Sequence, residues 1–189
     1  MSFLVQYLVS RWHISAADST VASLYFNLET LKTGDHLVVE GQEISRVGII
    51  MNGILKAVGT PVQGAPIYHF SLENEWAGDL QAFEDAKKST TSICAATDCH
   101  LATISYPKFR EAYDQHAFFR DGWAAAKRSL ALKTPKSEYD QEDPKSRYEN
   151  FIRNEPELAI KLTTEDIASY LKMPHTKLLH ILFEMVLFS

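Results

Sequence analysis

The chain has 189 residues, 46% of them hydrophobic and 23% charged, with a formal net charge of -5 at pH 7. This composition is ordinary for a globular protein, and the length allows one domain or two small ones. The negative charge attracts neither DNA nor an anionic membrane, so any nucleic-acid contact requires a local patch. No segment approaches the ~20 apolar residues that cross a bilayer, and the N-terminus lacks signal-peptide features. We therefore expect a cytoplasmic protein without membrane contact.

Short apolar runs alternate with Gly, Asn and Asp turns before about residue 110, which predicts many short antiparallel strands in a sandwich or barrel. The runs are HLVVEG, RVGIIMNGILKAVG, PIYHFSL, TSICAAT and HLATISY. Asn52-Gly53 is the strongest hairpin signal, because this pair suits a turn with positive φ at both central residues. Ser15 and Asp18 form a capping box that predicts a short helix ahead of the strands.

Residues suited to metal binding or catalysis form no recognisable pattern. Cys94 and Cys99 cannot alone build a four-thiolate site, and we expect both to be buried thiols. The seven histidines lack the i, i+4 spacing of a metal-binding helix. The chain also lacks a nucleophile elbow and a Gly-rich loop of the nucleotide-hydrolysing kind. The sequence therefore predicts neither a metal site nor an enzyme.

A helical pattern follows residue 110. Four apolar residues at spacings of four, three and four lie on one helical stripe: Phe119, Trp123, Ala126 and Leu130. The stripe either packs on the β domain or forms a dimer seam with a second copy, and the pattern leaves both alternatives open. The polar segment Leu132 to Pro144 is predicted to end this helix and to form a linker, after which Asp143 and Pro144 begin another helix.

The segment from Leu162 to Met185 predicts two short helices joined by a tight turn. Thr163 caps the first helix, Pro174 interrupts it, and a second helix begins near His175. This is a helix-turn-helix pattern, in which the N-terminal side chains of the second helix contact base edges. The candidate DNA-binding residues are Thr163, Thr164, His175, Thr176, Lys177 and His180.

An ordinary helical hairpin is the alternative for this segment. From residue 144 to residue 189 the chain has six Lys or Arg and six Asp or Glu residues, so the segment has no net charge. Since duplex affinity depends largely on neutralised phosphates, we expect weak DNA binding unless a dimer doubles the contacts.

The order of these elements resembles the Crp/Fnr family of bacterial transcription regulators over nearly the whole chain. Four segments carry the resemblance: LKTGDHLVVEGQ, VGIIMNGILKA, ATISYPKFREAY and LTTEDIASYLKM. The segment RYENFIRNEPEL, in a short C-terminal half, is similar to the branch common in Bacteroidetes-type bacteria.

The resemblance implies an α+β fold with three parts. Residues 1–112 would form a double-stranded β-roll of the cyclic nucleotide-binding type. Residues 113–138 would form a long dimerisation helix and linker, and residues 139–189 a helix-turn-helix domain without a wing. The implied partners are a second copy of the chain, a palindromic DNA operator and RNA polymerase.

The family's phosphate cassette begins Gly-Glu-Leu and ends in Arg followed by Ser or Thr. Here Gly78, Asp79 and Leu80 match its opening, whereas Ser89 and Thr90 stand at its end. In the family the carboxylate accepts from the ribose hydroxyl and the arginine pairs with the phosphate. Loss of that charge-assisted contact, worth ~1.5–3 kcal/mol, weakens binding roughly ten- to a hundred-fold. We therefore expect a ligand pocket of the family's shape that has lost its main anchor for cyclic AMP or cyclic GMP.

The second helix also departs from the family pattern. Lys172 stands where the family usually has a glycine, and His175 and His180 stand where it usually has arginines. Neutral imidazole attracts phosphate only weakly. Two hypotheses follow: a dimeric DNA-binding regulator, or a protein-interaction module that kept the fold and binds neither DNA nor cyclic nucleotide strongly.

Overall fold

The computed structural model describes residues 2–59, 67–131 and 143–187, as a mixture of helices and strands. The helices are α1 Phe3–Trp12, α2 Ala16–Ser23, α3 Leu80–Glu84, α4 Tyr106–Gln115, α5 Ala117–Ala131, α6 Pro144–Asn154, α7 Pro156–Lys161, α8 Thr164–Tyr170 and α9 His175–Leu187. The strands are β1 Asn27–Leu31, β2 His36–Val38, β3 Arg46–Asn52, β4 Leu55–Val58, β5 Ile67–Ser71, β6 Trp76–Ala77, β7 Ser92–Ala95 and β8 Cys99–Ser105. No helix in the described part of the chain is long and apolar enough to span a membrane.

The chain divides into two compact units. One comprises residues 1–57 and 70–134, and the other comprises residues 58–69 and 135–189. The linker predicted from Leu132 to Pro144 lies outside the described residues up to position 142. Asp143 does cap α6, since its carboxylate accepts hydrogen bonds from the backbone N–H groups of Lys145 and Ser146.

The strands form two four-stranded sheets, in the orders β1-β8-β3-β6 and β2-β7-β4-β5. The pairs β1–β8, β2–β7, β3–β6 and β3–β8 are antiparallel. Each of the five apolar runs in the sequence contains a strand, so the prediction of a strand-rich N-terminal part is confirmed. In the centre of β3, residues 47–50 are all buried, which places this strand in the core.

The Asn52-Gly53 turn is not a hairpin, and that prediction is wrong. β3 and β4, the strands on either side of it, belong to different sheets, so the turn takes the chain from one sheet to the other. Gly53 has a φ of 98°, and a methyl group there would lie 2.7 Å from Cys99 Sγ. Glycine is therefore required by its left-handed backbone and by the close approach of β8.

The long helix predicted within residues 113–138, as a dimerisation helix and linker, is interrupted near its start; residues 132–138 lie outside the described residues. α4 ends at Gln115 and α5 begins at Ala117, because His116 has an extended backbone with φ -124° and ψ 117°. The His116 ring lies against Tyr25, whose hydroxyl is 3.0 Å from Nε2. This contact joins residues 91 positions apart, so no local sequence pattern could reveal it.

Two helices precede the strands, although the sequence predicted only the second. Ser15 caps α2 as predicted, with its Oγ accepting from Asp18 N–H at 3.0 Å. α1 is capped by Ser2 and buries Leu8 and Trp12 in the core of the first unit. Its Leu4, Val5, Leu8 and Trp12 recur on one helical face, which is the signal that could have identified it.

Candidate ligand and nucleic-acid sites

The cassette opens with a glycine that no other residue could replace without strain. Gly78 has a φ of 133°, and a Cβ at this position would lie 2.5 Å from Val47 Cγ1. Asp79 then caps the short helix α3, with Oδ1 accepting the Ala82 N–H at 3.0 Å. Leu80 is only 2% exposed and belongs to the core. The opening of the cassette is therefore rigid, and the capping bond engages one carboxylate oxygen of Asp79.

The hydroxyl residues at the end of the cassette differ in burial and in hydrogen bonding. Ser89 is 3% exposed, and its Oγ donates to the Thr91 carbonyl at 2.7 Å while accepting the Thr91 N–H at 3.2 Å. Thr90 is exposed. The Ser92 hydroxyl accepts the Glu40 N–H at 3.0 Å. Two of these hydroxyls therefore stabilise the loop itself.

This cassette fits a cyclic phosphate poorly. No arginine stands between Gly78 and Ser92, and the hydroxyl of Ser89 is already bonded within its own turn. A cavity of 430 Å³ does adjoin the opening of the cassette, but Ser89 and Thr90 do not line it. Its lining residues are Asp79, Leu80, Gln81, Lys127, Arg128 and Leu130.

Glu84, at the end of α3, connects the cassette to α5. Its Oε2 accepts the indole N–H of Trp123 at 3.1 Å and forms a close ion pair with the Lys127 ammonium. The Glu84 side chain is 19% exposed and that of Lys127 is 29% exposed, so water screens the pair only in part. A displacement of the cassette helix would therefore act directly on α5.

We expect Glu84→Gln to lower the free energy of unfolding by about 1–2 kcal/mol, because it weakens the ion pair and the charge-assisted bond to the indole. Glu111→Gln, on the exposed face of α4, is a matched control that should change stability by less than about 0.5 kcal/mol. Urea unfolding followed by circular dichroism measures both changes. Equal stability of the two variants would show that the contacts of Glu84 with Trp123 and Lys127 do not stabilise the protein.

The stripe on α5 lies in the core of its own unit. Phe119, Trp123 and Ala126 are 0%, 1% and 5% exposed, so these side chains have no surface to offer to another copy. The Trp123 ring packs 4.5 Å from that of Phe109 and 5.3 Å from that of Trp76. The dimer-seam prediction is wrong for these three residues, and the packing alternative is correct. Leu130 is half-buried.

The helices α8 and α9 flank a short turn in the second unit. Thr163 caps α8 as predicted, accepting the Asp166 N–H at 3.1 Å. The Thr164 hydroxyl lies 2.8 Å from His175 Nε2, so two predicted DNA-binding residues contact each other across the turn. Lys172 has a φ of 53°. This left-handed backbone explains why the related pattern has a glycine at that position.

The N-terminal turn of α9 presents a mixed surface. Thr176 and Lys177 are exposed, whereas Leu178 is fully buried. His180 is also exposed, and its Nδ1 lies 3.1 Å from a Glu184 carboxylate oxygen. Of the predicted residues, Thr176 and Lys177 are thus freely presented, while the two histidines have neighbours on the protein.

Three large apolar side chains on α9 are exposed. Leu179, Phe183 and Val186 are 46%, 64% and 80% exposed, and their spacing of four and three places them on one helical face. The sequence analysis did not identify this stripe. The second unit therefore has both a polar helix end and an apolar helix face.

The two cysteines are buried free thiols, as predicted. Cys99 Sγ donates to the Ile54 carbonyl at 3.3 Å, and burial raises the pKa of this thiol. No group of three or more His, Cys, Asp or Glu side chains suited to a metal ion occurs within residues 2–59, 67–131 and 143–187.

Comparison with known families finds one domain family that matches the strand-rich part of the chain. Residues 28–116 match the family described as the cyclic nucleotide-binding domain. This range includes β2 to β8 of the described strands, all of β1 except Asn27, and the whole cassette. No curated protein sequence matches the chain significantly. The strand-rich part is thus a cyclic nucleotide-binding-like β-roll.

Solved structures share the fold beyond this domain. FixK2 from Bradyrhizobium japonicum has a TM-score of 0.65 at 14% identity, with 85% of this chain and 84% of that one covered. The c-di-GMP-responsive global regulator CLP of Xanthomonas campestris has a TM-score of 0.70 at 13% identity, covering 90% and 91%. A candidate Crp/Fnr-family regulator from Eubacterium rectale has a TM-score of 0.65 at 13% identity, covering 96% and 88%.

Proposed function

We propose that this protein is a homodimeric transcription regulator of the Crp/Fnr type that binds DNA through α8 and α9. The observation that carries the proposal is a pair of helices joined by a tight turn, which follows a cyclic nucleotide-binding-like β-roll. The first helix, α8, is capped, and the turn has a left-handed backbone at Lys172. The second helix, α9, exposes Thr176 and Lys177. The similarity to solved regulators over most of their length supports this order of parts.

The DNA contacts of each protomer are few in this proposal. Lys177 is the exposed cation at the start of α9, and Thr176 offers a hydroxyl to a base edge or a phosphate. The carboxylate of Glu184 beside His180 opposes an approaching phosphate. Binding therefore depends on a palindromic site that engages both protomers. Contact with RNA polymerase and the Bacteroidetes-type branch remain predictions.

Salt-dependent duplex binding tests the proposal. Selection from a random duplex library should yield a palindromic sequence whose affinity falls steeply as salt rises. Lys177→Ala should reduce the salt slope by about 1 per protomer, since it removes a phosphate contact. Lys161→Ala, an exposed lysine on α7, should leave the slope unchanged. Failure to select any sequence at low salt would refute DNA recognition.

The sensor pocket of this regulator does not use the family's phosphate anchor. The internal bonds of Ser89 and the absence of an arginine from the cassette support this part of the proposal. Calorimetric titration with cyclic AMP and with cyclic GMP should show that neither nucleotide binds with micromolar affinity. Saturable micromolar binding of either would contradict it.

The exposed stripe on α9 favours a second candidate function, a protein-interaction module. Exposed apolar groups arranged on one helical face are typical of helices that dock a partner. If the stripe serves a partner protein rather than DNA, Phe183→Ser should abolish partner capture. Loss of duplex affinity in Lys177→Ala, with none in Phe183→Ser, would instead support the regulator.

A further inference from the structure

A second cavity lies in the first unit, apart from the cassette. Its volume is 320 Å³, within the range of small-molecule sites. Its walls come from α1, from the connection between β5 and β6, and from α5. The lining residues are Tyr7, Ser10, Arg11, His13, Glu73, Asn74, Glu75, Trp76, Ala126 and Leu130. None of them belongs to the cassette, so this is a separate site.

A buried hydrogen-bond donor in the cavity wall has no protein partner. Trp76 is 4% exposed and lines the cavity, and its indole Nε1 has no hydrogen-bond partner in the described part of the chain. Leaving such a group unsatisfied costs about 1–3 kcal/mol. The Nε1 atom itself exposes almost no surface, so a ligand in the cavity does not reach it. Trp76 therefore contributes an apolar part of the wall.

Charged side chains of both signs line the same cavity. Arg11 and Glu73 are exposed, and neither forms an ion pair with any described residue. The phenol of Tyr7 lies close enough to both charges to be affected by them. Burial raises its pKa to about 12, while the charge of Arg11 acts to lower this pKa and that of Glu75 acts to raise it. A guanidinium and a carboxylate therefore both lie near a neutral phenol.

The acidic part of the wall is held firmly. Asn74 has a left-handed backbone, with φ 66°. Its N–H donates to the Ile50 carbonyl at 2.8 Å, and the Ile50 N–H donates in return to the Glu75 carbonyl at 2.9 Å. These two bonds tie the connection to β3, so Glu73 and Glu75 approach the cavity from a fixed backbone.

We propose that this cavity binds a small zwitterion of the amino-acid class with an apolar side chain. The carboxylate pairs with Arg11 and the ammonium pairs with Glu73. The apolar side chain packs on Ala126 and Leu130 of α5. This inference is independent of DNA binding, because every group that it uses lies in the first unit.

Titration of the full chain with L-phenylalanine and L-leucine, by calorimetry and tryptophan fluorescence, tests the proposal. We expect saturable binding of at least one, with a dissociation constant of about 1 mM or lower. Phenylalaninamide lacks the carboxylate and 3-phenylpropionate lacks the ammonium. Each should bind roughly ten- to a hundred-fold more weakly than phenylalanine. Lack of saturation by both amino acids, or equal affinity for the analogues, would overturn the proposal.

Two variants assign the charges separately. Arg11→Gln should weaken L-phenylalanine binding roughly ten-fold or more and leave phenylalaninamide unaffected. Glu73→Gln should weaken L-phenylalanine and leave 3-phenylpropionate unaffected. Both residues are exposed, so the variants should fold, which the melting temperature checks. Arg153→Gln, in the second unit, is the control and should change nothing; variants that bind like the wild type would place the ligand elsewhere.

Discussion

Replacing Trp123 with alanine should lower the free energy of unfolding by about 3–5 kcal/mol, the range for truncating a fully buried aromatic side chain. The ring is 1% exposed and packs against the rings of Trp76, Phe83 and Phe109. Its indole N–H also bonds Glu84, whose carboxylate would lose that donor. Urea unfolding measures the loss.

The same variant distinguishes a core stripe from a dimer seam. If the stripe held two protomers together, Trp123→Ala would reduce the sedimenting mass while each protomer kept its stability. If the stripe is core, stability falls and any change of mass follows from unfolding. Leu28→Ala is the control, since Leu28 is 76% exposed and its truncation should change stability by less than about 0.5 kcal/mol.

Local signals in the sequence predicted local structure well. Ser15 and Thr163 both cap helices as predicted, because a capping bond spans only three residues. The strands were also identifiable, since alternation and turn residues are short-range features. Asn52-Gly53 shows the limit of this approach. The pair does mark a turn, but the sheet that the next strand joins is decided by distant pairing.

The candidate sites depended on contacts that no sequence window contains. A run of hydroxyl residues suggested a ligand loop, yet Ser89 bonds within its own turn. His116, where the helix breaks, contacts Tyr25, which lies in another part of the chain. The zwitterion cavity combines residues near positions 10, 75 and 128. Its charged residues have no spacing pattern, so only the fold could bring them together.

Gly122→Ala should destabilise the protein by about 2–3 kcal/mol, although helix propensity alone predicts a gain of up to about 1 kcal/mol. Gly122 lies within α5, and a methyl group there would overlap the indole of Trp12, with Trp12 Cγ only 2.7 Å away. That indole cannot easily move, because it stacks on Trp76 and meets Phe119 edge to face. The sign of the change in unfolding free energy therefore shows whether the overlap with Trp12 or the helix propensity of alanine has the larger effect.

A double-mutant cycle with Trp12→Leu tests the cause. The smaller side chain should relieve the overlap, so the double variant should lose less stability than the sum of the single variants, by about 0.5–3 kcal/mol. Asp121→Ala, at the exposed neighbouring position, controls for propensity. A stabilised Gly122→Ala would mean that α1 does not pack closely on α5. Since Tyr7 and Arg11 of α1 face the same cavity as Ala126 of α5, that result would also remove the basis for the zwitterion site.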